Sequence, residues 1–311
     1  MSKDIPLTDG AFIIDNSGIE KFKCPRAFEY GVDMRRIAVG KAAGANFGST
    51  IHRGLETRYK LVDTNPVDDA TTMVINTAMH EWQQENPQPI GDFRNYDHAV
   101  KFLAVYNQIY KKETFNIITH NGKKIIESSF LLPLGTVQNI PILYSGKIDL
   151  GIESNGIWSF DHKTAFMFGE GFDKQMAMDG GQLGYCWALG QTLQVTPRGY
   201  IIDAMRVRRP KKEDEFGGTA PIDGTDFKRI PCPVSQEQVE EWKKDTLTIV
   251  SDIFNCYDRG YFPRHRWQCV GKYGICEYYD VCSTNITQRE QIINSNLFEE
   301  SKWHMGLKVE E

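Results

Sequence analysis

The segment GKIDLGIESNGIWSFDHKTA, residues 146–165, constrains this chain more than any other stretch. Apolar residues alternate on either side of Ser154-Asn155-Gly156, whose composition is that of a tight turn, so the segment reads as a β-hairpin. Its register decides what it can do. A two-residue Asn155-Gly156 loop sets Asp149 opposite His162 and points Asp149 and Asp161 to opposite faces of the sheet. A three-residue loop with Gly156 in the left-handed region, forming a bulge, sets Asp149 opposite Asp161 instead. Only the second register sorts the residues. Ile148, Leu150, Ile152, Trp158 and Phe160 then share one face, and Asp149, Ser159, Asp161 and Lys163 share the other. The pattern therefore selects the bulged turn, with the His162 side chain on the apolar face.

Two carboxylates side by side repel, and burying them without compensation is expensive. A hard divalent cation such as Mg²⁺ or Mn²⁺ between them meets that need. Lys163 lies two residues from Asp161 on the same face, where its ammonium can stabilise an anionic reacting group. The plain alternative is a surface hairpin with an Asp161–Lys163 ion pair.

The hairpin resembles the metal-binding core of the PD-(D/E)xK nuclease superfamily, most closely its RecB-like branch, which includes CRISPR-associated RecB-like exonucleases and the AddB nuclease domain. FGSTIHRGLE, residues 47–56, is similar to the family's helix that delivers a histidine to the metal, which implies His52 as a ligand. Glu127, in IIESSFLLPL, matches an acidic residue often found on the strand before the hairpin, and no firm role attaches to it. GQLGYCWAL resembles the family's glutamine-tyrosine motif, falling on Gln182 and Tyr185. The usual spacing is Q-x3-Y and this chain has Q-x2-Y; both residues still share a helix face.

The resemblance implies an α/β, restriction-endonuclease-like core, a mixed central sheet flanked by helices. It implies Mn²⁺ or Mg²⁺ held by His52, Asp149, Asp161 and the backbone carbonyl of His162, with Asp149, Asp161 and Lys163 as the catalytic set. An imidazole ligand tilts the preference toward Mn²⁺. The implied activity is hydrolysis of DNA phosphodiester bonds by a metal-activated water, as an exonuclease on single-stranded ends. A non-catalytic DNA-end-binding or adaptor protein on the same fold is the alternative, against which the intact Asp149, Asp161 and Lys163 argue.

The same branch is similar in carrying one cysteine before the nuclease core and three after it, which together bind a [4Fe–4S] cluster. Here these are Cys24 in FKCPRAFEY and Cys269, Cys276 and Cys282 in QCVGKYGICEYYDVC. Zinc is the main competitor, but structural zinc sites usually show paired C-x2-C knuckles, and the spacings here are C-x6-C and C-x5-C. A disulfide framework is disfavoured by the odd total of seven cysteines and by a chain large enough to fold without staples. Cys186, Cys232 and Cys256 read as ordinary buried thiols.

At 311 residues, 41% hydrophobic and 25% charged, the chain has ample core. It lacks an apolar run long enough for a membrane span and an N-terminal secretory signal, so the expected compartment is the cytoplasm. A net charge of −5 argues against a protein that coats DNA nonspecifically. Contact with DNA must be local, and the candidate stripe is Arg206, Arg208, Arg209, Lys211 and Lys212, with Arg35-Arg36 and Lys123-Lys124 as further patches. No P-loop motif is present, so any helicase or recombination partner is a separate protein.

The reading of the whole is one nuclease domain over 1–311, a helical insert at 60–118, and a cysteine segment at 260–285 closing onto Cys24. Helices are expected from Ser17 to about Met34, around Ile51, Leu55 and Tyr59, over 68–86 and 93–115, and from a Ser235–Gln238 capping box to Gly260. Residues 212–226, rich in charge and glycine, should be a mobile loop.

Overall fold

The structure, a computed structural model, describes residues 3–39, 43–87, 92–209, 221–271, 274–301 and Met305. It is a mixed α/β fold with a central mixed sheet and helices, in two compact units. Met1–Lys41, Ser129–Lys147 and Glu240–Glu311 form the first, and Ala42–Ser128 with Ile148–Val239 form the second.

In the first unit, strand β1 (Phe12–Asp15) runs parallel to the leading half of a long strand, with Phe12 level with Ile142. The expected helix from Ser17 to Met34 is broken. A short helix spans Asn16–Lys21, another Pro25–Phe28, and a wide π-type turn covers Glu29–Asp33. Pro25 is the cause: lacking an N–H, it suits the first position of a new helix and not the interior of an old one. The N-terminal cap is Asp15, whose carboxylate accepts from the Gly18 N–H at 2.8 Å.

The second unit opens with helices α1 (Ala43–Val62), α2 (Asp69–Glu85) and α3 (Tyr96–Ile109). The Ile51, Leu55 and Tyr59 stripe of α1 is fully buried, as its spacing predicts. It packs with Met79 of α2 and Phe102 and Leu103 of α3 against Leu150, Ile152, Trp158 and Phe160. Burial of each such side chain contributes about 1.5–3 kcal/mol.

The strands are β2 (Ile126–Val137), β3 (Ile140–Glu153), β4 (Ile157–Ala165), β5 (Gly199–Arg206) and β6 (Phe227–Pro233). Two helices, α4 (Glu170–Ala177) and α5 (Gly180–Leu193), connect β4 to its parallel neighbour β5, and β6 closes antiparallel onto β5. A final long helix, α6 (Gln236–Arg259), starts at the expected capping box. There the Ser235 N–H donates to Gln238 Oε1 at 2.9 Å and the Gln238 N–H donates to Ser235 Oγ at 3.3 Å.

The hairpin turn is the three-residue one. Glu153 pairs with Ile157 and Leu150 with Phe160, so the register carries Asp149 level with Asp161. Gly156 has φ +123°, and Asn155 also enters the left-handed region at +48°, which asparagine tolerates better than most residues. The polar face is not solvated. Ser159 and Asp161 are buried, and the neighbouring strand puts Tyr200, Ile202 and Ala204 level with Ser159, Asp161 and Lys163, beneath Met176 and Cys186. Most of residues 212–226, the expected loop, lies outside the described residues; its end forms a 3₁₀ turn at Gly224–Asp226.

Candidate metal centre

Four elements bring ligand groups together. The third turn of α1 supplies His52, the start of β2 supplies Glu127, and the β3–β4 hairpin supplies Asp149 and Asp161. His52 Nδ1 stands 3.4 Å from Asp149 Oδ2 and 3.6 Å from Glu127 Oε1. These three residues present ligand atoms all within 4.8 Å of one another. On its other side, His52 Nε2 is 2.9 Å from the His162 carbonyl oxygen, and the His162 N–H donates to Asp149 Oδ2 at 2.9 Å. The backbone of one residue thus touches both principal side chains of the site.

Glu127 had no role on sequence grounds and proves to be part of the cluster. Its φ of +45° is unusual for a residue with a Cβ, and it follows two consecutive buried residues, Ile125 and Ile126, which break the in-out alternation of the strand. That doublet is the one trace of the kink in the sequence.

The electrostatics are those of a cation site. Burial pushes the Asp149 carboxyl up, and Asp161 and Glu127 push the same way against the attraction of His52. Burial would lower the His52 imidazolium, but Asp149 and Glu127 more than offset it and hold its pKa at about 9. The cluster therefore gathers positive charge on the His52 ring. Asp161 is 3% exposed, and its Oδ2 lies 3.0 Å from Lys163 Nζ in a geometry that leaves the oxygen without a hydrogen bond. Three carboxylates, one imidazole and an orphaned buried oxygen suit a hard divalent cation with one nitrogen ligand.

Lys163 is likewise held protonated: burial opposes its charge, and Asp161 and Asp149 outweigh that effect. Asp179, the N-cap of α5, also faces this lysine, and its carboxyl is raised by burial despite Lys163. Asp179 escaped sequence reasoning because cap and site roles look alike in a sequence. It accepts from the Gln182 N–H at 3.2 Å, which sets Gln182 at the helix start; the Gln182 side chain is buried with its Oε1 unpartnered. Tyr185 follows on the same helix, half-buried.

The His162 side chain corrects the expectation of an apolar setting. His162, Asp203 and Arg229 sit level on β4, β5 and β6. His162 Nδ1 is 2.8 Å from Asp203 Oδ2, Arg229 Nε donates to Asp203 Oδ1 at 3.2 Å, and the Tyr106 hydroxyl donates to Asp203 Oδ2 at 2.7 Å. Arg229 also clamps Glu113 with Nη1 at 2.6 Å and Nη2 at 2.9 Å, and Tyr59 stacks on the His162 ring. A buried ionic row therefore lies directly beneath the carbonyl that faces His52.

Of the basic stripe, Arg206 and Arg208 are both turned to Asp226, and Arg208 also to Asp223. Those carboxylates neutralise charge that the sequence reading assigned to DNA. Arg209 is exposed, and Lys211 and Lys212 lie outside the described residues.

In the first unit, Cys24, Cys269, Cys276 and Cys282 line one small pocket with Arg264, Tyr278 and Tyr279. Burial raises the Cys276 thiol and lifts Cys282 to about 11, so ligation there must displace protons. The remaining three, Cys186, Cys232 and Cys256, are buried as expected, Cys186 pushed up to about 12 by burial alone.

No helix among the described residues is long and apolar enough to cross a membrane. A search of curated proteins finds no match. Among solved structures, the crystal structure of SSO0001 is similar at 11% identity and a TM-score of 0.32, covering 76% of this chain and 84% of that one. The family model of the PD-(D/E)XK nuclease superfamily matches residues 17–283, a span that runs from before Cys24, through the His52 helix and the hairpin, to just past Cys282. The chain belongs to the PD-(D/E)XK nuclease superfamily, whose members are metal-dependent nucleases.

Proposed function

We propose that this protein is a deoxyribonuclease of the RecB-like branch that degrades single-stranded DNA from its ends. The observation that carries the reading is the convergence of His52, Glu127 and Asp149 beside the Asp161–Lys163 pair. These residues, with the His162 carbonyl, would hold Mn²⁺ or Mg²⁺. A divalent cation bound there supplies Lewis acidity for phosphodiester hydrolysis, by polarising a phosphate oxygen and acidifying a water.

The chain's own groups do the rest. Lys163, kept protonated by Asp161 and Asp149, would donate hydrogen bonds that orient the attacking water and would neutralise charge on the phosphate. His52 carries a proton in the metal-free protein and must release it when it ligates, so metal binding is coupled to proton loss. The strand beneath, fixed by the His162–Asp203–Arg229 row, holds the carbonyl and N–H of His162 toward the site.

The four cysteines around one pocket support a [4Fe–4S] cluster as a structural staple of the first unit. Zinc would fit the same thiols, and the metal content of protein purified without oxygen distinguishes them.

The test is incubation with end-labelled single- and double-stranded DNA in Mn²⁺, Mg²⁺ or EDTA. The proposal expects stepwise shortening of the single strand with metal, none in EDTA, and none with Lys163→Ala. Cleavage that persists in EDTA, or in the lysine variant at the parent rate, would remove this site from the reaction.

A further inference from the structure

The catalytic strand β4 runs directly into an exposed apolar segment. Phe166 and Met167, immediately after the strand's last residue, are 55% and 70% exposed, and Met178 beyond α4 is 79% exposed. Phe168 and Phe172, in the same stretch, instead pack on each other, with Lys228 4.6 Å from the Phe168 ring. One cation lies over the exposed ring. The Arg94 guanidinium is 5.6 Å from the Phe166 centroid and is held in place by a two-pronged contact with Asp92, at 2.9 and 2.6 Å.

We infer that Phe166 and Met167 form a stacking platform for a base of single-stranded DNA next to the scissile phosphate, with Arg94 beside it to meet the backbone. This rests on the nuclease reading above. Phe166 lies three residues past Lys163, in the bend that follows the strand and at most about 10 Å along the backbone, which is within reach of a nucleotide adjoining the reacting one. An exposed ring with one guanidinium against it matches what a single strand offers: an apolar base face beside an anionic phosphate. An apolar patch alone would suit a protein partner equally well, and it is the position beside the phosphate-handling lysine that favours DNA. A paired nucleotide beside the scissile phosphate keeps its base stacked within the duplex, whereas an unpaired one can turn onto the ring, so the segment gives the site a preference for unpaired ends.

The experiment is fluorescence anisotropy of the full chain in EDTA with a labelled oligothymidylate and with an abasic oligomer of equal length. Phe166→Ala is expected to weaken oligothymidylate binding by about 10-fold or more, Phe166→Trp to keep it within about twofold, and neither to change abasic binding. Because Phe166 is exposed, the melting temperature should not move. Wild type that cleaves single-stranded DNA, with Phe166→Ala binding oligothymidylate unchanged, overturns the platform alone. Equal loss of both oligomers in Phe166→Ala also overturns it. Wild type that neither binds nor cleaves single strands overturns the platform together with the nuclease reading.

Discussion

Replacing Arg229 by methionine tests the claim that the metal site stands on a buried ionic row. Arg229 contacts Asp203, Glu113 and Tyr106, and both carboxylates have side chains that are 0% exposed. Methionine fills the space but leaves two buried acids that face, among the described residues, His162, the tyrosine hydroxyls and, at 3.5 Å, Arg58. Breaking a buried pair by removing one partner costs about 3–5 kcal/mol. At about 2–4 °C per kcal/mol for a chain of this size, the melting temperature should fall by roughly 6–20 °C. The loss should also change with pH. Burial alone would raise the Asp203 carboxyl, but His162 and Arg229 hold it below its ordinary value. Its stabilising effect is therefore present above the ordinary carboxylate range and lost as pH falls through the lowered folded value; without Arg229 that acid limb moves to higher pH. Thermal melts followed by near-ultraviolet circular dichroism at pH 4 to 8 read both effects, and adding Glu113→Leu should restore part of the stability. A melting temperature within about 2 °C of wild type at every pH, less than about 1 kcal/mol, would refute the reasoning.

His52 gives the metal-free protein a second pH dependence. Its folded pKa of about 9 lies above the ordinary 6.5, so its contribution is full below pH 6.5 and lost as pH rises through 9. The ceiling is about 3 kcal/mol, reduced because solvent reaches the ring, and urea melts in EDTA at pH 6.5 and 9 should show the decline in wild type and much less of it in His52→Gln. For the cysteines, Cys276→Ala should lower soluble yield and melting temperature together, since a cross-link from Cys24 to Cys269 is worth about 5 kcal/mol on the chain-entropy model, whereas Cys256→Ala should alter neither strongly. Anaerobic wild type should be brown with about four irons per chain; a colourless protein with one zinc would sink the cluster and leave the nuclease reading standing.

The parts of the site legible in the sequence are those set by local periodicity. Alternation in residues 146–165 selects the bulged turn and the Asp149–Asp161 pairing, and the helical stripe of Ile51, Leu55 and Tyr59 fixes the side from which His52 approaches. What stayed hidden depends on backbone kinks and on contacts between distant segments. Glu127 reaches the cluster from a left-handed backbone position that no pattern requires of a glutamate. The row from His162 to Arg229 joins three strands, so an alternation rule that assigns the His162 side chain to an apolar face cannot foresee that its neighbour there is an aspartate. Arg206 and Arg208 looked available because their partner, Asp226, lies 20 and 18 positions away. Pro25 was visible, and its helix-breaking effect outweighed the apolar spacing around it.

The most direct measurement of the central claim is Mn²⁺ binding followed by electron paramagnetic resonance at pH 7.5, on wild type and Asp149→Asn. Asparagine preserves the shape and can still accept from the His162 N–H, while removing the charge that sits between His52 and the other carboxylates. The account predicts a saturable Mn²⁺ site in wild type that weakens by about 10-fold or more in the variant, since even outer partners of metal ligands cost that much. Equal Mn²⁺ affinity in the two proteins would contradict it.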